Sequence, residues 1–482
     1  MMKTIVCILT LGLFLTTCTN RETTLEFTVE TARTEQEEGW KKLDTILNRI
    51  KAPEFPDRTV TITEFGAIND STKDSRMAIQ QAIETVAGQG GGMVVIPKGD
   101  YLSNGPVHLR SNIHLKIEEG AYLKFGTNPE DYTPLVKVRW EGTMAYNYSP
   151  LIYGYEIENV AITGKGRVNG QALEFWSSWR AKQNPDKARL RQMGNDKVPV
   201  KERVFGDGFL DKNGDGNDDG FGDGEQHWLR PTLIELVHAK QVLIEGLRLE
   251  HSPFWTVHPV FCENVIIRGL DIYGDFLNDD GIDPDSCTDV LIEDNIIQTR
   301  DDAISIKAGR DQDAWDRPGS KNIVIRNNEL ISGVNAICIG SEMSGGVDSV
   351  FIYNNRISNG KHALNFKTNL DRGGQVQHIY MRDNYVESTR EALFIFRMDY
   401  HGHRGNDFPT KFNNFYLSSL EAGEVGELFR IVGVEAEPIR NVFIEQVQVK
   451  SADSLGAIRF SSDVVFDDVT LGGKEISLSS FE

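Results

Sequence analysis

Residues 278–307, NDDGIDPDSCTDVLIEDNIIQTRDDAISIK, hold nine acids inside a repeating apolar pattern of the 482-residue chain. Asp279-Asp280-Gly281-Ile282 recurs as Asp301-Asp302-Ala303-Ile304, an offset of 22 residues. If that offset is one turn of a coil, Asp280 lies beside Asp302, one strand spacing of roughly 4.8 Å away. The pattern extends in both directions. An Asn, Asp, Gln, Ser or His precedes a short alternating apolar segment at Asn112, Asn159, Gln241, Asn264, Asp289, Asn322, Ser349, His378, Asn414, Asn441 and Asp463, and from Gln241 onward the intervals run from 22 to 36 residues. A second segment follows at Ala303, Ala336, Ala363, Ala392 and Ala457. Two or three short strands per interval, with turns between them and no long helix, predict a solenoid of parallel strands. An antiparallel sandwich would not need a fixed internal register over so many repeats. The expected class is therefore all-β, a right-handed parallel β-helix.

Upstream, residues 1–17 read as a signal peptide, with Lys3 in the charged region and an apolar run over 5–15 too short to span a membrane. Cys18 after Leu15-Thr16-Thr17 matches a relaxed lipobox and is the expected lipidation site. Residues 19–38 read as a polar mobile segment, 40–50 as a helix ended by Pro53 and Pro56, and 59–65 as a strand. Residues 74–87 read as an amphipathic helix, with Met77, Ile79, Ile83 and Val86 on its apolar side, that caps the N-terminal edge of the solenoid. The expected division is signal peptide 1–17, linker and helix 18–56, and catalytic solenoid 57–482.

A net charge of −20 argues against nucleic acid or an anionic membrane surface as partner. A lipid anchor is then the only expected membrane contact, and the chain is expected to be a monomer. Local lysines still allow an anionic substrate, since charges are screened over roughly 8 Å. Cys262, Cys287 and Cys338 lie in apolar strands without paired short spacings and read as small buried hydrophobes.

Stacking the repeats gives columns. One reads Asp280, Asp302, Asn335, His362, Glu391; a second Asp283, Ser305, Cys338, Asn365, Phe394; a third Asp285, Lys307, Gly340, Lys367, Phe396. Three close carboxylates cannot all ionise cheaply, so one keeps a proton while the others stay charged. An acid and a base in one groove suit glycoside hydrolysis.

Asn278-Asp279-Asp280 resembles the Asn-x-Asp motif of glycoside hydrolase family 28, the polygalacturonases and their relatives. Asp301-Asp302 resembles its Asp-Asp motif and Phe366-Lys367 the end of its Arg-Ile-Lys motif. ICIGSEMSGGV from Ile337 and SPFWTVHPV from Ser252 resemble the bacterial exo-acting branch. The resemblance implies cleavage of α-linked galacturonic acid in pectic poly- or oligosaccharides, exo-acting and inverting, without a catalytic cofactor. It implies Asp301 as general acid, Asp280 and Asp302 as the pair activating water, and Lys367 as the cation holding the uronate, with Asn278 in the substrate site. Two positions depart from the family pattern. Gly340-Ser341-Glu342 replaces Gly-His-Gly, and Asn365 replaces the Arg of Arg-Ile-Lys. Glu342 and Asn365 are thus candidate specificity residues, and Arg372, Arg397 and His362 candidate substitutes for the missing charge. Tyr146, Tyr148, Trp176, Trp179, Trp255 and Tyr400 read either as sugar-stacking residues or as packing.

The segment 207–226, DGFLDKNGDGNDDGFGDGEQ, places Asp211, Asn213 and Asp215 at alternating positions, as calcium loops begin, with Gly222 instead of Glu at the twelfth position. It reads as a solvated acidic loop or a structural calcium site. The competing functional readings are hydrolysis of rhamnogalacturonan or another pectic linkage, a calcium-dependent pectate lyase, and a non-catalytic glycan-binding solenoid. The location implied is extracytoplasmic: a periplasmic or outer-membrane lipoprotein of a bacterium.

Overall fold

The computed structural model describes residues 26–216 and 219–481. The signal peptide and Cys18 lie outside the described residues. The remainder winds into a right-handed parallel β-helix. Each coil contributes a strand to each of three faces, and the same face recurs one coil later in parallel register. On the first face, one inward row reads Val242, Val265, Val290, Ile323, Val350, Ile379, Phe415, Val442 and Val464. These side chains belong to one continuous buried cluster running the length of the solenoid.

The polar residue that marks each repeat has a backbone cause. All eleven marker positions, from Asn112 to Asp463, adopt positive φ between 54° and 62°. The chain turns into each first-face strand through the left-handed region, which Asn and Asp tolerate best among residues with a side chain. The next corner is sealed by an asparagine ladder. Asn295 donates to Asn328 (2.9 Å), Asn328 to Asn355 (2.9 Å) and Asn355 to Asn384 (3.0 Å), side chain to side chain. Each of the four amides is buried, so the stack satisfies polar groups that would otherwise carry a desolvation cost.

Three helices deal with exposed surface. Helix α1 (Val29–Trp40) and helix α2 (Lys42–Arg49) lie against the outer side of the first face. Ala32, Leu43 and Ile46 cover a stripe that includes Leu243, Ile266, Leu291, Phe351 and Tyr380. The marker side chains dock this strap: Asn264 accepts from the Lys51 amide (2.8 Å), Asn159 from Glu54 (3.1 Å), and Asp289 from Arg49 (2.6 Å). Residues 29–38, read from sequence as part of a mobile segment, are helical. Helix α3 (Arg76–Gly88) buries Ile79, Ile83 and Val86 at the N-terminal end of the coil. Met77, expected on its apolar side, is 72% exposed.

Register corrects the expected columns in the coil that follows Lys367. The strand Gly360–Lys367 pairs with the next coil through an irregularity between Gly360 and His362. The extra residue opposes His362 with Ala392, Asn365 with Ile395 and Lys367 with Arg397. Glu391, Phe394 and Phe396 therefore do not continue the three outward columns, because a bulge advances the strand by one residue. Cys262, Cys287 and Cys338 are free and buried.

Candidate active site

The third face carries the acids. Ile282 pairs with Ile304 and Ile304 with Ile337, so Asp280, Asp302 and Asn335 stand one above the other. Asp301 joins them from the corner just before its strand. One oxygen from each of Asp280, Asp301 and Asp302 lies within 4.8 Å of the other two. Asp279, the other acid of the pair, faces the opposite way and accepts from the amides of Asp301 (2.8 Å), Arg300 (3.0 Å) and Phe276 (3.1 Å). It holds the two rungs together.

The three acids differ in surroundings. Asp302 accepts 2.7 Å from Lys367 Nζ and also from Asn335 Nδ2. Burial pushes its pKa up, but Lys367, Lys307 and these hydrogen bonds outweigh burial and hold it below the usual carboxylate range. Asp280 is 3% exposed, and its Oδ1 has no hydrogen-bond partner among the described residues. Burial, then Asp301 and Asp283, pushes its pKa well up against the pull of Lys307. Asp301, the most exposed of the three, accepts from the amides of Asn278 and Asp302 at 3.1 Å each. Burial and the neighbouring Asp302 raise it too. One carboxylate is thus fixed as the anion, while two beside it favour the proton.

Beneath them runs a buried charge network that column reading did not reveal. Lys307 Nζ is 3.7 Å from Asp280, 3.6 Å from Asp283 and 3.7 Å from Glu342. Asp283, pushed by burial up to about 7, faces His258 one layer down. His258 lies between Glu235 (3.5 Å) and Asp285 (3.6 Å), which hold it protonated, up to about 9, against its burial.

The cavity above the acids has a volume of about 190 Å³, and Asn278, Glu342 and Lys367 line it as expected. Glu342 accepts 2.6 Å from Arg310 Nη1; despite burial, Lys307 and Arg310 hold it far below the usual range. Asn278 Oδ1 accepts from Arg230 (2.8 Å). Two expected residues do not reach the cavity. Asn365 donates to Asn335 Oδ1 (2.8 Å) and supports the side chain that holds Asp302. Arg372 is 1% exposed and committed to Asp311 (2.6 Å) and the Ser341 carbonyl (2.8 Å); it braces the 341–342 turn and is not free for substrate. His362 Nδ1 donates to Asn335 Oδ1 at 2.9 Å and so also stands behind the site, and Arg397 lies outside the cavity, paired with Asp399 (2.8 Å).

Other residues of the cavity come from segments without repeat character. Helix α4 (Asn184–Asn195) brings Lys187 and Arg191 to its wall, where both pair with Glu141. Arg180, Arg310 and His401 complete the basic lining. A Lys-x-x-x-Arg pair on one helix face was the only available signal. Among the aromatic candidates, Trp255 and Tyr400 line the cavity, whereas Tyr146, Tyr148, Trp176 and Trp179 belong to the hydrophobic core. In the acidic loop, oxygens of Asp211, Asp215 and Asp219 converge within 4.8 Å. Asn213 Oδ1 accepts from the Asp215 amide (3.0 Å) inside the same turn, and Asp219 adds a further acid to the expected set.

Comparison with known proteins explains the cluster. The model of glycosyl hydrolases family 28 matches residues 180–464, which contain all three acids. The chain belongs to that family. A second model, rhamnogalacturonase A/epimerase, pectate lyase-like, matches residues 59–118. A hyperthermoactive exopolygalacturonase from Thermotoga maritima superposes with a TM-score of 0.82 at 35% identity, over 92% of this chain and 97% of that one. A probable polygalacturonase from Vitis vinifera is 28% identical over 82% of this chain and 74% of its own length. An exo-poly-alpha-D-galacturonosidase from Dickeya chrysanthemi is 24% identical over 75% of this chain and 62% of its own. The family 28 chain is an O-glycosyl hydrolase.

Proposed function

We propose that this hydrolase removes galacturonate residues from the ends of pectic chains, with inversion. The observation that carries the reading is the convergence of an anionic Asp302 with the proton-retaining Asp280 and Asp301 at one basic cavity. In this reading Asp301, the acid that faces solvent, protonates the glycosidic oxygen. Asp302, charged by Lys367 and Asn335, takes the proton of the attacking water, and the unpartnered Oδ1 of Asp280 orients that water. Lys367 and Asn278 face the uronate, and Glu342 fixes Arg310 beside it. The small volume and the α4 wall favour terminal over internal attack, since a chain passing through would have to displace Lys187, Arg191 and Glu141 from their ion pairs.

The test is product analysis on homogalacturonan and its oligomers: galacturonic acid alone from the earliest times, with the β-anomer first by proton NMR. The α-anomer first would refute inversion. The carboxylate oxygens here lie closer than the roughly 6.5–9.5 Å between the two carboxyl groups of most inverting glycosidases, so that measurement is decisive. A second reading, attack on rhamnogalacturonan, draws on the absence of an arginine at Asn365 and predicts faster release from that polymer than from homogalacturonan. An unsaturated product absorbing in the ultraviolet would favour a lyase, and binding of pectic chains without any turnover would leave only glycan binding.

The same reading extends to location and ligands. Processing at Cys18 with lipid attachment predicts that Cys18→Ser releases the protein from membranes. Structural calcium at Asp211, Asp215 and Asp219 predicts a thermal midpoint raised by calcium, while catalysis needs no cofactor and is unaffected by chelators.

A further inference from the structure

The bulge after Gly360 shifts the outward rows of the coils that follow Lys367 by one residue. It places Arg397 in the outward row after Lys307, Gly340 and Lys367, and Arg430 in the adjacent row after Cys338, Asn365 and Ile395. At about 4.8 Å per coil, Arg397 stands one coil beyond Lys367 and Arg430 two. The catalytic face therefore continues past the pocket as a line of cations. Here the surface opens into a depression of about 590 Å³, floored by Leu370, Met398, Val432 and Val434 and rimmed by Arg397 and Arg430.

The lining chemistry is that of a sugar-acid site. Arg397 keeps 29% of its side chain exposed, and its only ion-pair partner among the described residues, Asp399, is 78% exposed. Arg430 is 45% exposed beside Glu427. Both guanidiniums keep donors available for a carboxylate, and such forks bind planar anions through charge-assisted pairs. His403, 40% exposed on the same rim, adds a third polar group. The apolar floor suits the C–H face of a pyranose. Tyr400 joins the two cavities. Its ring lies 5.3 Å from Lys367 Nζ on the catalytic side and 5.9 Å from the Arg397 guanidinium on the other.

We propose that the Arg397–Arg430 depression is a distal subsite that binds uronate residues on the leaving-group side of the scissile bond, reached by passing over Tyr400. The subsite makes the enzyme prefer long polyuronides even though it cuts one residue at a time. It rests on the galacturonan reading above, and the test separates the two.

The variant is Arg397→Ala/Arg430→Ala. Both side chains are partly exposed and neither lines the catalytic cavity, so kcat/KM on digalacturonate is expected to stay within about twofold. On hexagalacturonate it falls about tenfold, roughly 1.4 kcal/mol, with the loss in KM. Asp399→Asn, which frees Arg397, shifts the hexamer the other way. A hexamer-to-dimer ratio equal to wild type overturns the subsite, as does an equal loss on both substrates. Binding of hexagalacturonate to Asp301→Asn enzyme, with and without the two arginines, gives the reading that does not depend on turnover. Arginine-dependent binding without wild-type hydrolysis would overturn the activity and keep the subsite; arginine-independent binding would remove the subsite alone.

Discussion

Replacing Lys307 by methionine tests the electrostatic logic of the site most directly. The ammonium is 2% exposed and sits 3.6–3.7 Å from Asp280, Asp283 and Glu342, while donating to the Gly340 carbonyl at 3.2 Å. Methionine nearly preserves the shape and the contact with Trp255, whose ring lies 4.6 Å from Nζ. At an effective dielectric of about 20, a charge pair near 4 Å is worth roughly 4 kcal/mol, an upper limit of about three pKa units. Opposite charges at this range shift carboxyl pKa values by about 1–3 units in practice. Asp302 is held down partly by Lys307, so its pKa rises in the variant. The acidic limb of the kcat/KM profile should therefore move to higher pH, with activity falling more at pH 5 than at pH 7. Stability should fall by about 3–5 kcal/mol, as when one partner of a buried ion pair is removed. The assay is reducing-sugar release from pH 4 to 8, with urea unfolding in parallel. An acidic limb at the wild-type position, in a variant with that loss of stability, would show that Lys307 is structural and that Asp302 owes its charge to Lys367 alone.

Four further outcomes follow from the same contacts. Asp301→Asn should lower kcat by about 10²–10⁴, the share usual for a general acid, with circular dichroism unchanged; less than tenfold would reassign the acid to Asp280. Asp283→Asn should raise the thermal midpoint at pH 7.5 but not at pH 4: both carboxylate oxygens lack hydrogen-bond partners among the described residues, and the folded pKa of about 7 exceeds the unfolded value. The native group thus costs stability progressively as pH rises from about 4 to about 7, and a midpoint lowered at pH 7.5 would contradict this. Asn355→Ala should cost about 1–3 kcal/mol in urea unfolding, because the neighbouring ladder amides lose their partner. Ile46→Ala in α2, 3% exposed against the outer stripe, should cost about 2–5 kcal/mol; a loss below 1 kcal/mol would mean that the strap opens independently of the solenoid.

The coil was legible because its corner forces a choice of residue. A positive φ in every repeat selects Asn, Asp or their substitutes, and that spacing survives variation in strand content. The acids were legible for a related reason: a parallel register copies a face, so residues 22 apart become neighbours. Legibility stopped where the copying stops. The bulge after Gly360 shifts one strand by one residue, and no local composition marks it. Arg372, a candidate substitute for the missing charge, is instead drawn inside by Asp311 and the Ser341 carbonyl, and the sequence near it gives no sign of those partners. Helix α1 was read as mobile because its sequence is polar, yet Ala32 and Gln36 are buried against side chains more than a hundred residues away. Tertiary burial of one narrow stripe overrode composition.

The departure at Asn365 gains a different meaning from this placement. Read as a lost arm of a cationic clamp, it weakens the case for a uronate in the site. In the structure Asn365 is one of two donors to Asn335 Oδ1, the other being His362, and Asn335 in turn donates to Asp302. An arginine in that place would bring a third positive charge close to Asp302, beside Lys367 and Lys307, depressing Asp302 further and weakening it as a base. The neutral amide keeps Asp302 ionised through Lys367 without excess stabilisation. Asn365→Arg should therefore shift the acidic limb of the pH profile down while lowering kcat on the plateau, since a more stabilised carboxylate accepts a proton less readily. A variant with a higher plateau and tighter KM would restore the clamp reading and place the residue back in contact with substrate.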